Sequence, residues 1–381
     1  MMAWSSSFKG PLGAPPPEHG RSPCKLLQKF NIIYIMRALG FYGFAPLLAP
    51  LLVFLLVSGV VRAAPQEKSD TGGAISIQAE NDLFGGGTDR HFTNGVRLSF
   101  FYPANRLPRV ARALGAVLPF LPVSRSSRFM LALGQNIYTP DDISASALIP
   151  DDRPYAGWLF SELGIVAPAG HHVDSFVVSL GVIGPASLGG AVQRFWHAHV
   201  INAPRPQGWQ NQLRNEPAVM LLYQREWRHL RLAGNSGLRV DFTPRVGGAL
   251  GNVFTYLSAG GVARLGYNLS KHDSGPPRIR PSLPGSGFFT RPPHGIGGYL
   301  FAGGEVRAVA RNIFLDGNTF RRSHSVPKKH LVADFQAGLA LIVSVFGTPS
   351  RLSYTFIYRT KEFDGQNGAD KFGSISLGIA F

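Results

Sequence analysis

Along most of the chain, apolar and polar residues alternate one for one in runs of about ten residues. In AISIQAE, Ile75, Ile77 and Ala79 fall on one face and Ser76, Gln78 and Glu80 on the other. In HLVADFQAGLAL, Leu331, Phe335, Leu339 and Leu341 oppose Asp334 and Gln336, and in RLSYTFIYRT, Leu352, Tyr354, Phe356 and Tyr358 oppose Ser353, Thr355 and Arg359. A period of two puts successive side chains on opposite faces of a strand, so each run predicts a strand with one apolar face. Twelve such runs occur, at 74–82, 93–102, 127–137, 155–166, 172–183, 217–229, 237–247, 255–267, 298–310, 329–343, 351–361 and 371–381. The even count suits an antiparallel barrel that crosses a membrane with its apolar faces outward. A soluble sandwich shows the same alternation, so the strands alone leave both open.

The end of the chain favours the barrel. FGSISLGIAF places Ile375, Leu377, Ile379 and the terminal Phe381 on one face, as in the closing strands of outer-membrane barrels. The predicted fold class is therefore all-β: a twelve-stranded antiparallel transmembrane β-barrel with a short helix in an extracellular loop. With both termini on the periplasmic side, the outward connections are 83–92, 138–154, 184–216, 248–254, 311–328 and 362–370. In the third of these, SLGGAVQRFWHAHV predicts the helix, between Gly190 and the stop at Pro204, with Val192, Phe195 and Trp196 on its apolar side. Gln193 and His197 stand four apart and share a face. Two periplasmic connections, 103–126 and 268–297, exceed the usual turn length and are read as surface excursions. The second is too rich in Pro and Gly for strand or helix throughout.

Composition changes the picture in two places. Forty-five Gly, 27 Phe and only 16% charged residues suit many short strands, tight turns and an apolar exterior. The single cysteine, Cys24, lies upstream of a run that reads as a secretion signal: Arg37, an apolar stretch, then Val61-Arg62-Ala63 before the cut. A membrane anchor is the alternative, and Pro50 and the Ala-rich exit suit cleavage better. The chain then divides into an upstream extension at 1–35, a signal peptide at 36–64 and an outer-membrane barrel at 65–381 with its site at the outer rim. The formal charge of +16 loses Lys9, Arg21, Lys25, Lys29, Arg37 and Arg62 with the leader. No nucleic-acid-binding motif accompanies the remaining basic excess, which fits an anionic membrane surface or a phosphorylated glycolipid.

The candidate chemistry sits in the first outer connection and in the helix. ENDLFGGGTDRHFTNG packs Asn81, Asp82, Asp89, Arg90, His91, Thr93 and Asn94 into one Gly-rich turn. Strand parity points Asp82 and Thr93 inward near the rim and Asn81 toward lipid, which is odd for a structural polar residue and reasonable beside a lipid substrate. Asn and Asp are also common turn formers, Thr93 is by default a strand residue, and His197 can be an ordinary helix residue beside His199. An ester hydrolase needs a base near the working pH to activate water, and His is the side chain that starts there. Asp151, Asp152, Arg153 and Tyr155 read as loop-bracing ion pairs and aromatic girdle.

AENDLF with TDRHFTNG, GQNIYTPDD and DDRPYAGW, GPASLGG with VQRFWH and GWQNQLRNEP, then DGNTFRRSHSV and KEFDGQ with FGSISL, together resemble the outer-membrane lipid A 3′-O-deacylase family, LpxR type. The resemblance runs from about Ala74 to Phe381. It implies a calcium-dependent carboxylic ester hydrolase acting on lipid A of lipopolysaccharide in the outer leaflet of the bacterial outer membrane, with His197 as general base. It places Asn81, Asp82 and Thr93 in the same site, with Asp82 as the calcium ligand, where a hard cation would stabilise an ester oxyanion. Some members carry an acidic residue shortly after the catalytic His; here VINAPRPQG has none. The expected partners are lipid A and the outer membrane, with no nucleic acid, and the expected state is a monomer. A non-enzymatic barrel, either channel or structural protein, and an outer-membrane phospholipase are the alternatives.

Overall fold

The computed structural model describes residues 72–85, 90–201, 203–228, 230–234, 237–269, 273, 275–279, 281, 287–289, 295–345 and 347–381. The chain divides into two units, Met1–Leu52 and Val53–Phe381, and every described residue lies in the second. The expected extension at 1–35 and signal at 36–64, with Cys24, lie outside the described residues.

The strands are β1 (Ala74–Asn81), β2 (His91–Phe101), β3 (Arg128–Thr139), β4 (Ala156–Ala169), β5 (His172–Ile183), β6 (Glu216–Trp227), β7 (Leu230–Gly234), β8 (Leu238–Gly251), β9 (Phe254–Tyr267), β10 (Ile296–Asn312), β11 (Leu331–Val345), β12 (Thr348–Arg359) and β13 (Asp370–Ala380). All pairings are antiparallel, and they join chain neighbours except that β1 also pairs with β13 and β6 with β8. Strands β6 and β7 follow one another along the same edge of β8, so the sheet closes as a barrel of twelve staves. Each run predicted from alternation has its counterpart here, and 172–183 coincides with β5.

The two faces of each strand now have two solvents. In β1, Ser76, Gln78 and Glu80 are buried inside, whereas Leu98, Leu133, Leu163, Leu257 and Leu300 stand exposed on the outer wall. Greasy side chains facing outward from a closed ladder are what a bilayer requires, because every backbone polar group is satisfied within the sheet.

The interior is filled rather than open. Buried ion pairs cross it: Arg97 with Glu162 at 2.6 Å, Arg264 with Asp241 at 2.8 Å, and Arg307 and Arg359 with Asp334 at 2.9 and 2.8 Å. Removing one partner of such a pair costs about 3–5 kcal/mol, since the other charge stays buried. The connection after β9 corrects the reading of 268–297 as a surface excursion. Its described residues enter the lumen, where Arg278 meets Glu80 at 3.1 Å, Asp273 meets Arg351 at 2.7 Å, and Phe289 is buried beneath the Arg351 guanidinium. Buried charges on the strand walls, not local periodicity, draw this Pro-rich segment inside. At the other end, helix α3 (Ile313–Asp316) inserts Phe314, stacked on Tyr138 at 3.8 Å.

The connection 103–126 stays on the surface as expected, and it also holds an amphipathic helix that the alternation pattern did not predict. We number it α1 (Arg109–Val117), and the helix predicted in the third outer connection is α2 (Gly189–Trp196), continued by a wider turn at His197–Ile201.

Candidate active site

Strand periodicity ends at Asn81. The next residues form a tight turn, Asp82–Phe84, whose first backbone N–H groups need an acceptor, and the Asn81 side-chain oxygen takes the Leu83 N–H at 2.8 Å. The turn leans over the lipid-facing side of β13 and β12: Phe84 fills the space left by Gly373, and the Tyr354 hydroxyl donates to the Phe84 carbonyl at 2.7 Å. Parity with Glu80 therefore ceases to govern Asp82. Its buried carboxylate accepts the Arg90 N–H at 2.7 Å, which draws the two ends of the Gly-rich loop together. Residues 86–89, with Asp89, lie outside the described residues.

Thr93 departs from the expected inward direction for a similar reason. A bulge between Phe92 and Asn94 gives β2 one residue more than β3, and such bulges re-aim side chains. Phe92 takes the inward place beside Phe372, while the Thr93 hydroxyl meets that of Thr139 at 2.7 Å. Thr139 shares the parity of Ile137, which packs against Tyr155 and Trp209 on the outer wall. Just before the bulge, His91 holds a left-handed backbone with φ of 63°, a strained state for a side chain of this kind. It persists because the buried ring is clamped, with Nδ1 2.5 Å from Asp370 and an edge against Phe363. Nothing in the sequence pattern marked His91 or Thr139 for these roles.

Helix α2 lies on the outside of the wall against β3 and β4. Two features of sequence permit this. Gly157 and Gly189 bring backbones together, where a Cβ on Gly157 would stand 3.1 Å from the Gly189 Cα and one on Gly189 3.0 Å from the Gly157 Cα, and Gly190 lets the Trp209 ring lie beneath the helix. The Gln135 amide holds the entry by donating to the Ser187 carbonyl at 2.6 Å. The apolar side of the helix faces outward, with Val192 41% and Phe195 60% accessible and Trp196 half-buried, and Leu188 at the helix start is exposed as well. The side turned to the wall carries Gln193 and His197, both buried. Gln193 accepts from the Trp209 indole at 2.8 Å, and His197 Nδ1 lies 2.6 Å from the Pro204 carbonyl. A carbonyl can only accept, so Nδ1 carries the proton and the lone pair is on Nε2.

The structure thus brings Asn81, Asp82 and Thr93 together on the adjoining outer ends of β1 and β2, and sets His197 on the helix covering the neighbouring β3 and β4. Asp152 and Arg153 brace the rim as expected: Asp152 accepts the Asp141 N–H at 2.6 Å, and Arg153 pairs with Glu362 at 3.0 Å. Burial by itself would raise the Glu362 pKa, but the Arg153 guanidinium, with Arg359 and Arg307 beyond it, holds this carboxyl below the usual range. Tyr155 packs on Trp209 under the helix rather than in a girdle.

A calcium ion takes six to eight oxygens. Among the described residues, no three His, Cys, Asp or Glu side chains form a group that could hold a metal. Asp82 is the single carboxylate among Asn81, Asp82 and Thr93, and the donors of this set are all hard oxygens, which fits calcium in kind. Water and oxygens of a substrate are needed to fill such a sphere.

A family model described as outer membrane protein LpxR matches residues 48–381. No curated protein matches the chain. Among solved structures, LpxR from Salmonella typhimurium is 22% identical, with 81% of this chain and 100% of that chain covered and a TM-score of 0.63, which shows the same fold. The beta domain of the Bordetella autotransporter Brka is 10% identical over 81% of this chain and 98% of that chain, with a TM-score of 0.39.

Proposed function

The chain belongs to the LpxR family of outer-membrane β-barrel proteins, and from that premise we propose that it is a lipid A 3′-O-deacylase, hydrolysing the 3′-linked acyl or acyloxyacyl ester with a water activated by His197. The observation that carries this reading is the reversed polarity of α2. A helix on a lipid-facing wall that exposes Leu188 and Phe195 and buries His197 against the strands offers a base to a substrate that is itself a membrane lipid.

The residues divide the work by their chemistry. The hydrogen bond from Nδ1 to the Pro204 carbonyl fixes the ring, so Nε2 takes a proton from water as its oxygen attacks the ester carbonyl. The same nitrogen then returns the proton to the departing 3′ sugar oxygen, giving one carboxylic acid and one alcohol for each water consumed. The Asn81 carbonyl oxygen is occupied by the Leu83 N–H, so its NH₂ group is the one that can donate to substrate. The Thr93 hydroxyl is the second donor on that side. Asp82 would hold calcium, which when bound supplies positive charge beside a developing oxyanion. The lumen filled by Arg278, Asp273 and Phe314 speaks against an open channel.

Expression in a host with intact lipid A, followed by lipid extraction and mass spectrometry, tests the reading. A discrete loss of the 3′ acyl or acyloxyacyl mass is expected with the wild-type chain and not with His197→Ala. Unchanged lipid A alongside phospholipid breakdown would replace it with the phospholipase reading.

A further inference from the structure

Helix α1 forms a second surface on the outer wall, at the end of the barrel where β1 begins and β13 ends. Ala111 is buried with Phe129, Ile165 and Ala167 on the lipid-facing side of β3 and β4, and Leu114 and Leu118 pack on the same cluster. The returning chain covers a second side, where a Cβ on Gly115 would stand 2.5 Å from a Val123 methyl carbon. Two sides stay open. One carries Val110 and Val117, 58% and 74% exposed. The other carries Arg109 and Arg112, with Arg106 before the helix and Arg125 after it, all exposed. No Asp or Glu occurs between 103 and 126, and these four arginines form no ion pair among the described residues. On the neighbouring wall, Asp174 is buried and already held by Arg225 at 2.7 Å and the Tyr223 hydroxyl at 2.8 Å.

We propose that α1 and its flanks are a docking surface for anionic glycerophospholipid of the periplasmic leaflet, with Val110 and Val117 entering the acyl layer and the arginines engaging phosphate. The level is set by rings: Phe120 meets Tyr223 edge-on at 5.4 Å, Tyr102 meets Phe129 at 5.8 Å, and Phe100 lies 5.9 Å from the terminal Phe381. Such a band marks the headgroup region of a barrel. An apolar side next to a basic side at that level is the pattern of a helix lying in the interface. The cluster beneath α1 reaches Leu131 on the lipid-facing wall, where Leu133 and Leu163 are exposed. Three of the arginines also cluster at the start of the helix, where the macrodipole is already positive, an unfavourable placement that a bound phosphate reverses. Because α1 and α2 rest on the same two strands, this attachment holds at fixed depth the staves that carry His197.

The mature barrel in detergent, titrated with phosphatidylglycerol or phosphatidylcholine and followed by native mass spectrometry, tests the proposal. Phosphatidylglycerol should bind in preference, and R109Q/R112Q should weaken it about 25-fold, at about fivefold per charge, with phosphatidylcholine unaffected. R321Q/R322Q, two exposed arginines on the outer rim, should leave both lipids unchanged. Heat-modifiable gel migration reports closure of each barrel; if the helix variant fails to close, R106Q/R125Q, outside α1, carries the same expectation. Equal binding of the two lipids by the wild type, or an equal loss in the outer-rim variant, overturns it.

Discussion

Helices α1 and α2 rest on the same pair of strands and are built in opposite senses. Near the periplasmic end α1 packs Ala111 and Leu114 on the wall and exposes arginine beside Val110 and Val117; near the outer end α2 buries Gln193 and His197 and exposes Leu188, Val192 and Phe195. The first arrangement, apolar side to the wall and basic side outward, suits a boundary between lipid and water. The second is stable only where the surroundings are apolar, and then only if the polar groups turned inward are satisfied, because an unpaired buried group costs several kcal/mol. Trp209 and Pro204 meet that condition for α2. A basic side open to the interface suits attachment, whereas a satisfied but ionisable side closed against a lipid wall suits chemistry.

The sharpest way to break that contrast is at His197. His197→Ala should lower turnover by about 10²- to 10⁴-fold, as general-base loss does, while heat-modifiable migration stays wild-type, since the residue lies outside the strand ladder. An active His197→Ala variant would reduce α2 to a structural cover. Asp82→Ala should cost about 10²- to 10³-fold, the range for lost oxyanion stabilisation, with partial recovery in excess calcium. Chelation should depress the wild type as well. If it does not, calcium drops out and the Asn81, Asp82 and Thr93 group acts through hydrogen bonds. Trp209→Phe comes next: the ring still fills the space under Gly190, but the bond to Gln193 is lost, so about 1 kcal/mol and a fivefold fall in kcat are expected with KM little changed.

Much of the barrel was legible because period two needs only neighbouring residues. β5 was read to the residue, and the rest differ mainly at the strand ends. What escaped was everything set by partners far along the chain. Arg278 enters the lumen to meet Glu80, 198 positions away, and no local pattern in a Pro-rich stretch announces that. Thr93 was given the wrong face because the bulge beside it adds a residue against β3 alone. The helix α2 was found, with Gln193 and His197 on one face, but which of its sides meets the wall is set by Trp209 and Gly157, far along the chain. The spacing of Ala111, Leu114 and Leu118 marks α1, a period-3.6 signal too short to stand out in a connection that also holds four prolines. As proposed site residues, His197, Asn81, Asp82 and Thr93 come from the family motifs and not from composition.

A pH measurement sharpens the comparison at the outer rim. The Glu362 carboxyl is held below its usual value of 4.5, so its bond to Arg153 contributes fully above that value and is lost as pH falls through the lower folded value. Protease cleavage in the connections 140–155 and 360–369 should therefore be constant down to about 4.5 and rise below it. E362Q should show the raised cleavage already at neutral pH, and identical profiles for the two proteins would remove Glu362 from the rim clamp.

The smallest effect belongs to His199, and it is the control for the register of α2. His199 stands two positions beyond His197 on the widened turn, exposed, with its ring stacked on Phe195 at 4.7 Å and Nδ1 3.0 Å from the Phe195 carbonyl. It shares the exposed side with Leu188 and Phe195, so it has no access to the wall where Asn81 and Thr93 stand. Removing it costs one exposed ring contact and one local hydrogen bond, about 0.5–1 kcal/mol of local order at most, because water or lipid headgroups take over both. His199→Ala should therefore keep turnover within about twofold of wild type by the same lipid A mass assay, as surface changes away from a site do. Loss of activity in His199→Ala with retention in His197→Ala would mean that the helix presents its other side to the wall, and the opposition between α1 and α2 would have to be rebuilt from that register.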